Sequence, residues 1–195
     1  MRDIATHLRW IRHAPVNHAH ETAAAIVRAG LPGPERIPGP QAVAIDALGE
    51  QQFDEWQGLA NGDLHQSRAG DFYRFWHAPP HETARGGESF LAVIERVSRV
   101  VQQLVETHTG RDVIADAHGG TIRAVLAVAL GLDPEAALGF TMENCSITRV
   151  DHLDGPGVGH AWRVVRSAAR GGDPLPGGRA VLANVHRARK ISSYR

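Results

Sequence analysis

The sequence predicts an α/β fold, a three-layer α/β/α sandwich around a mainly parallel central sheet. Three observations carry that reading. Short apolar runs of strand length alternate with stretches of helical periodicity, the order that builds parallel sheets. Two of those runs, at Leu8 to His13 and Asp112 to Asp116, end on or just before a histidine, and ligands bind at the carboxyl ends of strands in such sheets. The chain has 195 residues, 43% of them hydrophobic and 22% charged, which suits one sizeable core.

Leu8-Arg9-Trp10-Ile11-Arg12-His13 alternates well enough for a short strand, and Pro15 stops it. Glu21 to Ala29 is alanine-rich and ends at Gly30, as a helix with a glycine stop does. Leu31 to Pro40, with four prolines and two glycines, is loop. Ala42 to Ile45 reads as a short buried strand. Leu48 to Gly58 lacks periodicity and reads as irregular. Residues 59–77 read as one or two short helices, and Ala78 to Gly87 as loop. Glu88 to Glu106 is the clearest helix: Phe90, Val93, Ile94, Val97, Val100, Val101, Leu104 and Val105 form an apolar stripe, and Glu88 suits the positive end of the helix dipole. Asp112 to Asp116 is a strand leading through Ala117-His118-Gly119-Gly120 into a helix from Thr121 to Leu130. Ser146 to His152 and His160 to Val165 read as strands joined by a turn at Gly155-Pro156-Gly157.

Charge and cysteine content narrow the function classes. The formal net charge is zero, so nothing global points to nucleic acid or a membrane surface. Residues 166–195 carry seven basic residues against Asp173 alone, a net +6. Without interleaved aromatics this stretch reads as a solvated basic tail following a domain at 1–165, not as a nucleic-acid arm. One cysteine, Cys145, excludes an internal disulfide and fits a reducing compartment. The first residues have no apolar core of signal-peptide length, and the run from Ala124 to Leu132 is too short to span a bilayer. The sequence reads as a soluble cytoplasmic protein, with no oligomeric state indicated.

Arg12-His13 and His118 share one logic. An arginine grips a phosphate bidentately, and a neutral imidazole attacks phosphorus or takes a proton. Gly119 and Gly120 behind His118 permit a tight turn and close approach to a ligand at a helix N-terminus.

With these residues in order, the chain resembles the histidine phosphatase superfamily, the phosphoglycerate mutase-like branch, and within it small bacterial phosphatases of the α-ribazole phosphatase type. The resemblance rests on Arg12-His13, the run Leu48-Gly49-Glu50 to Gly58, Gly87-Glu88-Ser89-Phe90 with Arg96, His118-Gly119, and Asn144-Cys145-Ser146-Ile147-Thr148. It implies hydrolysis of a small phosphomonoester with no cofactor and no metal. His13 would be the nucleophile, forming a phosphohistidine. Arg12 and His118 would hold the phosphoryl oxygens and offset developing charge. Glu50 would protonate the leaving oxygen, a task that asks for a carboxyl with a raised pKa. Other readings are plainer. Glu55 matches a variable position, Glu88 a helix start, and Trp56 either a stacking platform or packing beneath a pocket. Arg123 reads as helix surface.

The chain departs from the family pattern at one place. The family carries a second phosphate-holding arginine four residues before a Thr-Ala pair; here Thr22-Ala23 is preceded at that spacing by His18. The short run from Pro15 to His18 also lacks a piece the family has there. Losing one such donor lowers rates roughly a hundredfold to a thousandfold. A protonated His18 would replace part of the charge but not the fork geometry, and Arg85 is another substitute. His18-Ala19-His20 lacks the acidic or cysteine partners of a metal site. The rival reading is therefore a phosphate-ligand or partner-binding domain of the same fold with impaired catalysis. A mutase ranks below hydrolysis, since no segment identifies a lid that would exclude water.

Overall fold

The computed structural model describes residues 8–13, 21–22, 24–25, 43–56, 80–84, 86–109, 112–153, 161–170 and 180–184. Among the described residues six strands form one sheet: β1 (Leu8–His13), β2 (Val43–Ala44), β3 (Asp112–Ala117), β4 (Ser146–His152), β5 (Trp162–Arg170) and β6 (Ala180–Asn184), in the order β2-β1-β3-β6-β4-β5. β1 pairs in parallel with β2 and β3, and β3 with β6. β4 runs antiparallel to both β5 and β6. Helices α1 (Phe90–Thr107), α2 (Gly119–Leu130) and α3 (Pro134–Leu138) complete the described elements, with 3-10 turns at Asp46–Leu48 and Asp54–Trp56. The α/β class expected from the sequence is the class observed.

The apolar stripe of α1 does what its spacing requires. Phe90, Val93, Val97, Val100 and Val101 are buried against Ile122, Val125 and Leu126 of α2 and Ala115 and Ala117 of β3. Ser89 caps α1, its Oγ accepting from the Ala92 N–H at 3.2 Å. Glu88 therefore lies before the cap, not in the first turn. α2 starts at Gly119, earlier than expected, with His118 as its N-cap, and stops at Gly131, whose φ of 59° is left-handed. α3 carries a local start signal: Asp133 accepts from the N–H groups of Glu135 and Ala136, with Pro134 in the first turn.

Three expectations need correction. The strand expected to be buried at Ala42 to Ile45 is an edge strand, Val43–Ala44, with both residues exposed, because among the described residues only β1 flanks it. The strand expected to end at Val165 continues to Arg170. The stretch expected as a tail contributes β6, which lies between β3 and β4 and receives hydrogen bonds on both edges; Ala180-Val181-Leu182-Ala183 is apolar enough for an inner strand despite its basic surroundings. Residues 21, 22, 24 and 25 are helical, as expected there. The expected loop at 31–40, the short helices at 59–77 and the turn at 155–157 lie outside the described residues. Among the described residues no helix is long and apolar enough to cross a membrane.

β3 holds one residue at odds with its surroundings. Ala115 and Ala117 face the core shared with α1 and α2, so Asp116 between them lies on the opposite face of the sheet. It is fully buried, and neither carboxyl oxygen has a hydrogen-bond partner among the described residues. Burial pushes its pKa up to about 7, from an ordinary 3.8. A folded-state value above the unfolded one means that the folded protein holds the proton where the unfolded chain has released it. Stability is then lost as pH rises through that window. Relative to Asp116→Asn, the wild-type protein is expected to lose roughly 2–4 kcal/mol between pH 4 and 8. Denaturant unfolding of both proteins across that range checks it; parallel curves would show that Asp116 does not titrate this way.

Candidate active site

The site begins with the sheet. Parallel pairing sets His13 of β1 in register with Asp116 of β3, and Arg12 with Ala115. His118 follows one residue after β3 ends. Arg12-His13 and His118 thus occupy the carboxyl ends of two adjacent parallel strands. The chain passes from β1 to β2 on one side and reaches β3 on the other, so this is also where the strand order reverses, the usual ligand crevice of an open α/β sheet. The side chains of Arg12 and His13, the whole of His18 and Arg85, and the side chain of Glu55 lie outside the described residues.

His118 is buried in extended conformation (φ −110°, ψ 166°) at the head of α2, and its carbonyl accepts the first helical hydrogen bond, from the Ile122 N–H at 2.9 Å. Its imidazole Nδ1 lies 4.0 Å from Oε2 of Glu50. The other carboxylate oxygen of Glu50 accepts from the backbone N–H groups of Gln51 at 2.9 Å and Gly120 at 3.3 Å. The Glu50 carboxyl therefore sits against the N-terminus of α2, where unpaired N–H groups and the helix dipole favour an anion. Its side chain remains 30% exposed, so water and a ligand can reach it. A Cβ on Gly120 would lie 2.6 Å from Oε1 of Glu50, so a larger residue there would shift the carboxylate.

The segment carrying Glu50 has no regular structure of its own and is held from three sides. Arg96 of α1 donates through Nε to Oε1 of Glu88 at 2.7 Å and through its terminal nitrogens to Oε2 of Glu88, the carbonyl of Ala47 at 2.7 Å and the carbonyl of Glu50 at 3.3 Å. Thr121 Oγ1, in the first turn of α2, donates to the Gly49 carbonyl at 2.6 Å. Gln51 Nε2 donates to the Glu88 carbonyl at 2.8 Å, and the Glu88 N–H to the Gln52 carbonyl at 2.8 Å. Leu48 plugs the segment into the main core. Gly87 allows the close approach, because a Cβ there would meet the Gln52 carbonyl at 2.5 Å.

Several residues thus take roles the sequence did not reveal. Glu88 is the ion-pair partner of Arg96, not a helix-start carboxylate. Trp56 packs with Phe53 and Ala84, buried, which removes the stacking-platform reading. Arg123 is not a surface residue: it is half-buried, donates through Nε to the Phe140 carbonyl at 2.7 Å, and interacts electrostatically with Glu50. Burial lowers its pKa, and the Glu50 charge opposes that shift. Its place one helical turn beyond Gly119 was the available signal. Taken together, Glu50 and His118 form a carboxyl–imidazole pair, open on one side, with cationic Arg123 close enough to bias the carboxyl.

Comparisons with known proteins point to one family. The family model of the histidine phosphatase superfamily (branch 1) matches residues 5–165. Phosphoserine phosphatase 1 of Hydrogenobacter thermophilus is 26% identical over 149 residues, 76% of this chain and 66% of that one. The structure of mycobacterial glucosyl-3-phosphoglycerate phosphatase with inorganic phosphate matches with a TM-score of 0.67 and 25% identity, over 83% of this chain and 77% of that one. The α-ribazole phosphatase of Shigella flexneri shares the fold, with a TM-score of 0.66 and 20% identity over 88% of this chain and 82% of that one. The chain spans between 38 and 66% of the length of the first curated relatives it matches.

The packing of Glu50 against Gly120 gives a direct test. Gly120→Ala is expected to push the Glu50 carboxyl away from His118 and, on the phosphatase reading proposed below, to lower turnover of a phosphate ester on the order of a hundredfold, as a misplacement of about 1 Å can do. Steady-state kinetics with circular dichroism checks it; full activity would show that the carboxyl position does not matter.

Proposed function

This chain belongs to branch 1 of the histidine phosphatase superfamily, and from that premise we propose that it hydrolyses a small phosphomonoester through a phosphohistidine intermediate. One observation carries the reading: the register of β1 with β3 brings the end of Arg12-His13 beside His118, whose imidazole lies 4.0 Å from Glu50.

In the first step a ring nitrogen of His13 forms a bond to phosphorus. The ester P–O bond breaks, and the leaving oxygen takes a proton from the Glu50 carboxyl, whose pKa the negative charge of the bound phosphate raises against the pull of the α2 N-terminus and Arg123. In the second step water attacks the phosphohistidine, Glu50 takes a proton from it, the N–P bond breaks, and phosphate leaves with His13 restored. Arg12, His118 and His18 hold the phosphoryl oxygens, where preorganised donors offset the charge in flight. The scheme calls for no metal, since arginine and imidazole supply the positive charge. The same reading takes the fold as a three-layer sandwich on a mainly parallel sheet, supported by the parallel pairing of β2, β1, β3 and β6. It places the protein in the cytoplasm, in keeping with a lone, exposed cysteine.

A second reading, a phosphate-binding domain of the same fold without turnover, is favoured by His18 standing where the family carries arginine. Vanadate binding with no hydrolysis would select it.

Purified protein is expected to hydrolyse an aryl phosphate and to form an acid-labile phosphoenzyme, both abolished in His13→Ala. In Glu50→Gln the rate should fall on the order of a hundredfold to ten-thousandfold. The loss should be larger for an alkyl phosphate than for a nitrophenyl one, whose leaving group needs no proton. Equal rates for wild type and His13→Ala would remove the nucleophile, and an equal Glu50→Gln effect on both esters would remove the proton donor.

A further inference from the structure

Buried, unpartnered carboxyls lower stability and are uncommon unless they do something. Asp116 is one: fully buried, with neither oxygen hydrogen-bonded among the described residues. An apolar side chain of similar size would suit the position better, as Ile114, Ala115 and Ala117 on the same strand illustrate.

The position is as informative as the burial. Asp116 is in register with His13 of β1 on one edge and with Ala183 of β6 on the other. In-register residues on adjacent parallel strands share a face of the sheet. The titratable residues at or beside this register position are Arg12 and His13 on β1 and His118 beyond the end of β3. Ala180–Asn184 of β6 contributes none, and α1 and α2 pack against the opposite face.

We propose that Asp116 is a positioning residue for His13: its carboxyl sets which ring nitrogen carries the proton and leaves the other free to attack phosphorus. The proposal rests on the phosphatase reading above and deepens it. A neutral imidazole has one N–H and one lone-pair nitrogen, and a neighbouring carboxyl selects between the two tautomers. Both residues belong to paired strands, which hold them more closely than a loop would. The Asp116 carboxyl, pushed up to about 7 by burial, titrates in the same range as an imidazole, so the two protons are coupled. His118 has Glu50 beside it; Asp116 would give His13 the corresponding partner.

The test uses full-length protein carrying 15N-labelled histidine, with the His13 signals assigned by their loss in His13→Ala. In Asp116→Val the apparent pKa of His13 is expected to fall by roughly half a unit or more, because the carboxylate that favours imidazolium is gone, and its tautomer ratio to change. Asp116→Asn, which keeps size and an acceptor oxygen, should retain the tautomer while showing the pKa change; it also serves if the valine variant does not fold. In Asp116→Val kcat for an aryl phosphate should drop tenfold or more with KM unchanged, and the near-neutral limb of the pH–rate profile should move. A melting temperature at or above that of wild type would exclude unfolding as the cause. An unchanged His13 titration and tautomer in these variants overturns the proposal, whatever the turnover. An Asp116-dependent His13 titration in a protein without turnover upholds the positioning and overturns the phosphatase reading instead.

Discussion

The parallel pairing of β1 with β3 is the constraint on which the site depends. Its register sets His13 beside Asp116 and brings Arg12-His13 to the same sheet edge as His118. A slip of one residue would turn every side chain of one strand to the other face, and the proposed sharing of one phosphoryl group by the two histidines would be lost. The register is reinforced from below: Ala115 and Ala117 are small and buried in the α1–α2 core.

The second requirement is that an irregular segment deliver a carboxyl to a fixed point. Ala47 to Gln52 is anchored instead by groups from both helices, Arg96 from α1 and Thr121 from α2, with Glu88 closing the ring. The Arg96–Glu88 pair is bidentate and only about one-fifth exposed, so it is less screened than a surface pair. By contrast, Arg99–Glu95 on the same helix is exposed and of the kind that adds little. The contacts that hold that loop are thus also the ones that position Glu50.

The sequence is legible where a residue's role depends on its neighbours in the chain. The stripe from Phe90 to Val101, the strand before His118 and the strand at Ser146–His152 are of that kind. Roles set by distant partners were hidden. Nothing near Glu50 announces that Gly120, seventy residues on, donates to it, and Glu88 looks like a helix-start residue until Arg96 reaches it. Arg123 carried only a helical phase, and Asp116 only its place in an apolar strand. β6 was lost because a five-residue strand among glycines, prolines and arginines has no periodicity to betray it. The exposure of β2 was invisible because an edge strand and an inner strand share one composition.

In the proposed mechanism one phosphoryl group is held between His13 and His118 with Glu50 at its open side. A crystal structure of the protein with vanadate, which mimics phosphorus in flight, tests this most directly. The expected result is vanadium bonded to a ring nitrogen of His13, with Arg12 and His118 on its oxygens and the Glu50 carboxyl facing the apical oxygen opposite His13. Vanadate bound away from this edge of the sheet, or imidazoles of His13 and His118 that face separate regions, would contradict it.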